Sequence, residues 1–259
     1  MRFKSTPIYL SLVAAMIAAI SAVIVSCGSN SYTPSEVIYP YQAPVLAETP
    51  VLRKPALSPS QLKRKANIRR DLIPSGRHAR RYKRPMKPRY ITIHSTQNYS
   101  PSADAWQHSK ALKNGKLRAY KHRNGNRIGY LVWHYSIDQS RVVQHLPDNE
   151  QGEHADFNGP GNNYSLGLEM CENRGNSRAL TMERTAQLAA YLMHKHNIPL
   201  RNIVPHYHWP RYGLNKPHKN CPHYLMDNGR PGRKWRAFQN KINGYYQLIS
   251  QPAALHNHS

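Results

Sequence analysis

The chain has 259 residues, with 37 Lys and Arg against 13 Asp and Glu, 15 His and three Cys, for a formal charge of +24 at pH 7. That length can bury the core of one domain or two small ones. A composition 39% hydrophobic and 19% charged is not that of a wholly disordered or fibrous chain, and three Cys cannot staple a disulfide scaffold. The positive excess calls for an anionic partner such as nucleic acid, a membrane surface or an acidic polymer, and the histidines call for metal or acid–base chemistry.

Residues 1–26 carry Arg2 and Lys4, then an apolar run from Pro7 to Val25, and end at Ser26 before Cys27. A basic head, an apolar stretch and a small residue before the cut describe an export signal. Cys27 at the next position resembles a bacterial lipobox, which makes Cys27 the expected lipid anchor and the protein a membrane lipoprotein. An uncleaved anchor helix is the alternative, since about 20 apolar residues can span a bilayer. Both place the rest outside the cytoplasm, and Gly28, rather than Asp, after Cys27 points to the outer membrane facing the periplasm. No nucleic acid is expected there.

Residues 27–89 read as a disordered, Pro-rich and basic linker. Its denser half, 63–89, holds Lys63-Arg64-Lys65, Arg69-Arg70, Arg77, Arg80-Arg81 and Lys83-Arg84. It is either a solvated stalk or an adhesive for anionic lipid or wall polymer, at about 1 kcal/mol per basic residue near a charged membrane.

Residues 90–248 read as a single α/β domain, with a flexible tail at 249–259. Tyr90 to Thr96 alternates as a half-buried strand, with Ile91 and Ile93 on one face and Thr92, His94 and Thr96 on the other. Helical spacing follows from Ser102 to Lys113, strands at Tyr130–Asp138 and Arg141–Leu146, and a loop at Asn158–Asn163. Tyr164 to Cys171 is a further strand, with Glu169 and Cys171 on the face opposite Leu166, Leu168 and Met170. A helix capped by Thr181 runs to Asn197, and a last helix from about Gly232 to Tyr245 buries Trp235, Phe238 and Ile242. Alternating strands and helices predict a mixed central sheet flanked by helices.

The candidate chemistry lies on three of these pieces: His94 at a strand end, Glu169 on another strand, and His206-Tyr-His208-Trp209 followed by Lys219-Asn-Cys221-Pro222. Zinc accepts imidazole and thiolate, and a catalytic zinc keeps three protein ligands and one open position. His94, one of His206 and His208, and Cys221 would supply such a set. A Cys171–Cys221 disulfide is the rival arrangement, and Glu169 can also be read as a plain strand carboxylate.

In order and context, Ile93-His94-Ser95-Thr96, Trp133-His134-Tyr135-Ser136-Ile137-Asp138, Glu153-His154-Ala155, Asn163-to-Cys171 and His206 with Lys219-x-Cys221-Pro222 resemble the zinc-dependent N-acetylmuramoyl-L-alanine amidases. That type includes T7 lysozyme and the peptidoglycan recognition proteins. The resemblance implies that His94, His206 and Cys221 bind Zn2+, with His206 favoured over His208 because Trp209 follows at the family offset. It implies that Glu169 is the general acid–base, that Lys219 stabilises the charged intermediate, and that His154 and Asn163 contact substrate. The substrate would be peptidoglycan or muropeptide, cut between N-acetylmuramic acid and L-alanine. A non-catalytic peptidoglycan-binding lipoprotein is the alternative. Pro210 to His218 reads as an insertion between the second His and the Cys. Trp133 stands where the T7 enzyme has a Tyr, so no Tyr role carries over, and His134 and Tyr135 are expected to be structural.

Overall fold

The computed structural model describes residues 55–118, 129–211 and 215–250. The export signal, Cys27 and the tail beyond residue 250 lie outside them. No helix among the described residues is long and apolar enough to cross a membrane.

Six strands, β1 (Ile68–Arg70), β2 (Tyr90–Ser95), β3 (Tyr135–Ile137), β4 (Val142–Gln144), β5 (Ser165–Met170) and β6 (Ile203–Pro205), form one mixed sheet in the order β1-β4-β3-β5-β2-β6. β3, β5, β2 and β6 run parallel, β4 turns back antiparallel to β3, and β1 lies parallel to β4 at the edge. Helices α1 (Pro59–Ala66), α4 (Arg178–His196) and α5 (Arg233–Ile249) pack together with Ile91, Ile93, Leu166, Leu168 and Met170 in the main core. α2 (Ala105–Lys113) lies against the other face, over Val143 and Cys171. A short helix, α3 (Pro160–Tyr164), precedes β5, and a two-residue hairpin of β7 (Met226–Asp227) and β8 (Arg230–Pro231) precedes α5.

The alternation of β2 places its faces as expected, but every residue from Ile91 to Ser95 is buried. The strand is central, and its polar face is roofed by Trp209 and the 152–165 segment, so it is not half-solvated. Tyr130–Asp138 is shorter than its β-rich sequence suggests. Val132 leaves the sheet to exchange hydrogen bonds with Glu153, and only Tyr135–Ile137 pairs with β5. α4 begins four residues earlier than expected, capped by Ser177, whose hydroxyl accepts from the Leu180 amide. Thr181 is instead a buried helical residue that bonds back to the Ser177 carbonyl at 2.9 Å.

The disordered-linker reading of 27–89 fails from residue 59 onward. Ser58 and Gln61 form a reciprocal capping box at the start of α1. Leu62 and Ala66 are completely buried against α4 and α5, and full burial of a leucine contributes about 2 kcal/mol. β1 extends the sheet, and Arg84 to Met86 runs beside Asn149 to Gln151, with Gln151 N–H donating to Arg84 O and Met86 N–H to Asn149 O, both at 2.8 Å. The guanidinium of Arg80 grips both oxygens of Glu150 at 2.7 Å, and Arg84 pairs with Glu153. Charges that look solvated in the sequence therefore brace the loop leading into His154. At the far side, the Leu57 amide donates to the Leu248 carbonyl at 2.8 Å, so the two ends of the folded region meet.

Candidate active site

Parallel strands expose their carboxyl ends together, and open α/β sheets characteristically build their sites there. β2 carries His94 one residue before its end, its parallel neighbour β5 carries Glu169 at the paired position, and β6 runs directly into a single turn, His206–His208. Side chains remote in sequence thus meet at one sheet end.

His94 is 1% exposed. Its Nδ1 lies 3.8 Å from Glu169 Oε1, and its Nε2 lies 3.0 Å from His154 Nδ1. The His206 ring sits 4.5 Å from that of His94 between centroids, and its Nε2 donates to the Ala155 carbonyl at 2.8 Å. Cys221 is brought in by two backbone contacts. The Ser95 amide donates to its sulfur at 3.4 Å, and the Tyr207 amide to its carbonyl at 3.1 Å. One ligand atom from each of His94, His206 and Cys221 falls within 4.8 Å of the others. His208 is outside this group. The segment is a 3-10 turn, so His208 does not share a strand face with His206 but lies exposed against Tyr90 and Trp209.

Burial holds His94 well below the ordinary imidazole range, and the neighbouring His206, His154 and Lys219 act in the same direction. His206 is lowered to about 3, by burial first and then by His218 and Lys219, while its bond to Ala155 opposes. Burial and the adjacent Glu169 push the Cys221 thiol up. Neutral imidazoles with free electron pairs beside a thiol are the donor set that a zinc ion takes, and metal binding deprotonates a coordinating thiol. The residues present therefore fit the ion. Cys171 and Cys221 are both free and buried, so the disulfide arrangement is absent.

Glu169 is pushed up to about 8, by burial, then by the charge of Glu172, against the pull of Lys219. Its Oε2 is buried and has no hydrogen-bond partner. Glu172, which sequence reading passed over, accepts from the Gln97 amide at 2.9 Å and lies 3.5 Å from His223 Nε2. Nothing in strand alternation distinguishes it, because it sits two residues beyond the end of β5.

His94, His206, Cys221 and Glu169 line a cavity of about 710 Å³, together with Lys219, exposed at its edge, and Arg211 and His218 from the 210–218 stretch. Arg211 lies over the Phe157 ring at 4.2 Å, and Phe157 itself is held at φ 71°. His154 lines the cavity but is only 8% exposed, with both ring nitrogens engaged, Nε2 reaching the Ser165 carbonyl at 3.2 Å. Asn163 is not among the lining residues; its amide donates to the Asn158 carbonyl. The asparagine that reaches the site is its neighbour Asn162. His134 is buried and structural, accepting from the Gly167 amide and bonding to the Glu150 carbonyl. Tyr135 packs in the core with its hydroxyl on Asp148.

Residues 84–224 match the model of the N-acetylmuramoyl-L-alanine amidase family. The chain is 37% identical over 182 residues to the amidase XlyA of Bacillus subtilis (strain 168), covering 69% of this chain and 52% of that protein. It is 35% identical over 178 residues to CwlH of the same organism, covering 68% and 61%. The chain thus spans between half and two thirds of the length of these relatives. Its structure is similar to that of a mutant endolysin from Bacillus subtilis, with a TM-score of 0.55 at 38% identity over 68% of this chain and 98% of the other. It is likewise similar to the catalytic domain of XlyA, with a TM-score of 0.54 at 36% identity over 68% and 99%.

Proposed function

The chain belongs to the N-acetylmuramoyl-L-alanine amidase family, and on that footing we propose that it is a zinc-dependent peptidoglycan hydrolase. It cleaves the amide between the lactyl group of N-acetylmuramic acid and the L-alanine of the stem peptide. The observation that carries this reading is the convergence of His94, His206 and Cys221 within 4.8 Å, beside Glu169, in one open cavity.

The two imidazoles and the thiolate would hold the ion. Bound there, it supplies a Lewis acid for the scissile carbonyl and lowers the pKa of water toward about 7. Glu169 moves the proton. In its ionised form, its unpartnered Oε2 takes a proton from the attacking water, and the carboxyl so formed, favoured by burial, returns one to the amine that leaves. Lys219 brings positive charge to the oxygen that becomes negative as the carbonyl is attacked.

Placement outside the cytoplasm rests on the sequence of residues 1–27, with Cys27 as the lipid attachment point. Palmitate labelling of the full chain, lost in Cys27→Ala, tests it.

Mass spectrometry of digested sacculi tests the activity. Wild-type protein with zinc is expected to release peptides with a free L-alanine amino group and leave lactyl ends on the glycan. Chelator and Cys221→Ala should each abolish that release while binding to the wall persists. Release unchanged by both would remove the zinc reading, and no release by the zinc-loaded wild type would favour a binding protein.

A further inference from the structure

Both imidazoles of the candidate metal site are held from behind by two consecutive residues. The His206 Nε2 meets the Ala155 carbonyl at 2.8 Å, and the His94 Nε2 meets the His154 ring at 3.0 Å. A carbonyl oxygen can only accept, so His206 carries its proton on Nε2 and presents a bare Nδ1. The same logic passes through His154. Its Nε2 faces the Ser165 carbonyl at 3.2 Å and must donate. With the one proton of its imidazole committed to that carbonyl, the Nδ1 of His154 is bare and accepts. The atom opposite it, His94 Nε2, is therefore the donor, and His94 Nδ1, on the Glu169 side, is left with its electron pair free.

We propose that His154 is a positioning residue that sets the tautomer and ring orientation of His94, and that Asn162 holds the His154–Ala155 pair in register so that both imidazoles present Nδ1 to the metal. This rests on the reading of His94, His206 and Cys221 as ligands. The Asn162 carbonyl oxygen accepts the backbone amides of His154 and Ala155 at 2.9 and 2.8 Å, and its amide nitrogen donates to Glu153 and to the Phe157 carbonyl. Asn162 is 1% exposed, so these bonds have no competition from water. Two glycines make room for the ring. A Cβ at Gly167 would lie 2.8 Å from His154 Cγ, and one at Gly152 would lie 2.6 Å from its Cδ2. The sequence resemblance implied a substrate contact for His154; the geometry instead spends both of its nitrogens inside the protein.

The test has two parts. In the metal-free wild type, ¹⁵N chemical shifts of the His94 ring are expected to show the Nε2–H tautomer, and finding the proton on Nδ1 overturns the proposal without any variant. In the second part, zinc affinity is measured by competition with a chromogenic chelator, alongside thermal unfolding of each metal-free protein. His154→Leu removes the acceptor and should weaken zinc binding about 10- to 100-fold. His154→Asn keeps a carbonyl oxygen near the Nδ1 position and should recover most of that loss. Zinc affinity in His154→Leu equal to the wild type, with KM alone raised, assigns the residue to the substrate and refutes the positioning role. Cys221→Ala separates the two levels. If it binds zinc as tightly as the wild type, the ligand assignment itself fails, whereas a loss there with no loss in His154→Leu sinks this inference alone.

Discussion

The indole nitrogen of Trp209 donates to Thr92 Oγ1 at 2.9 Å, and so fastens the turn that carries His206 to the strand that carries His94, two residues before it. Trp209 also packs with Ala155 and Val204 and stands edge-on to Tyr90. The spacing between His206 and Trp209 thus has a mechanical meaning, since the indole fixes where the turn begins. Trp209→Phe keeps most of the packing and removes the bond. It is expected to cost about 1 kcal/mol of stability and to weaken zinc binding several-fold, by urea unfolding and chelator competition. Unchanged zinc affinity in a folded Trp209→Phe protein would detach the indole from the site.

Arg80 and Glu150 are each 12% exposed at the side chain and meet through two 2.7 Å hydrogen bonds. Removing one partner of such a pair strands the other charge. Arg80→Ala should destabilise the protein by about 2–3 kcal/mol, and the double variant Arg80→Ala/Glu150→Ala should be less damaging than the sum of the single ones. A truncated chain beginning at residue 90 lacks α1, β1 and both ion pairs, and should fail to unfold cooperatively in a calorimeter. A sharp transition at the full-length temperature would restore the linker reading of 59–89.

Asp148, outside the candidate metal site, is 6% exposed, with Lys195 Nζ at 2.7 Å, His196 Nε2 at 2.8 Å and the Tyr135 hydroxyl on its oxygens. Burial alone would raise its pKa, but hydrogen bonds from His196, Lys195 and Tyr135 outweigh it and hold the carboxyl well below its ordinary 3.8. A depressed folded pKa contributes stability that is complete above the unfolded pKa, near 4, and is lost as pH falls through the folded one. Asp148→Asn should therefore be the less stable protein at pH 7, and the gap should be unchanged at pH 5.5 and close below about pH 4. Urea midpoints across that range decide it, and a gap independent of pH would mean that packing, not charge, sets the difference.

Glu169→Gln keeps the shape of the side chain and removes its basicity. Activity on wall fragments should fall by about 10²–10⁴, with zinc affinity within about threefold of the wild type, because the carboxylate is beside the ligand set and not in it. Loss of zinc binding in this variant would move Glu169 from proton transfer to metal ligation.

The residues that converge on the candidate metal site were legible in the sequence only as an ordered set that resembles the amidase family, because a motif such as Ile93-His94-Ser95 or Lys219-Asn-Cys221-Pro222 taken singly is a weak signal. The faces of β2 and β5 were legible from alternation. What escaped depends on partners far along the chain. Arg80 and Arg84 are two more charges in a basic run until Glu150 and Glu153 arrive about seventy residues later. α1 has only Leu62 and Ala66 to signal a buried face, and β1 is three residues long, too short for any period to register. Asn162 and Asn163 are chemically identical neighbours, and the turn of α3 decides which one reaches inward. The cap of α4 at Ser177 rather than Thr181 is a choice between two good capping residues one helical turn apart, settled by the hydrogen bond of the Gln139 side chain to the Ser177 amide at 2.7 Å.

The bond between Leu57 and Leu248 gives the folded region a seam where its beginning and end lie side by side. Joining residue 250 to residue 55 through a short peptide and opening the chain in an exposed loop would keep every strand pairing, since adjacent ends are what circular permutation requires. The same closure makes the last helix a condition of assembly. α1 emerges first but finds its packing partners only later, α4 after five of the six sheet strands have been made and α5 after all six. The earliest part of the domain to be synthesised is therefore among the last to be locked in place.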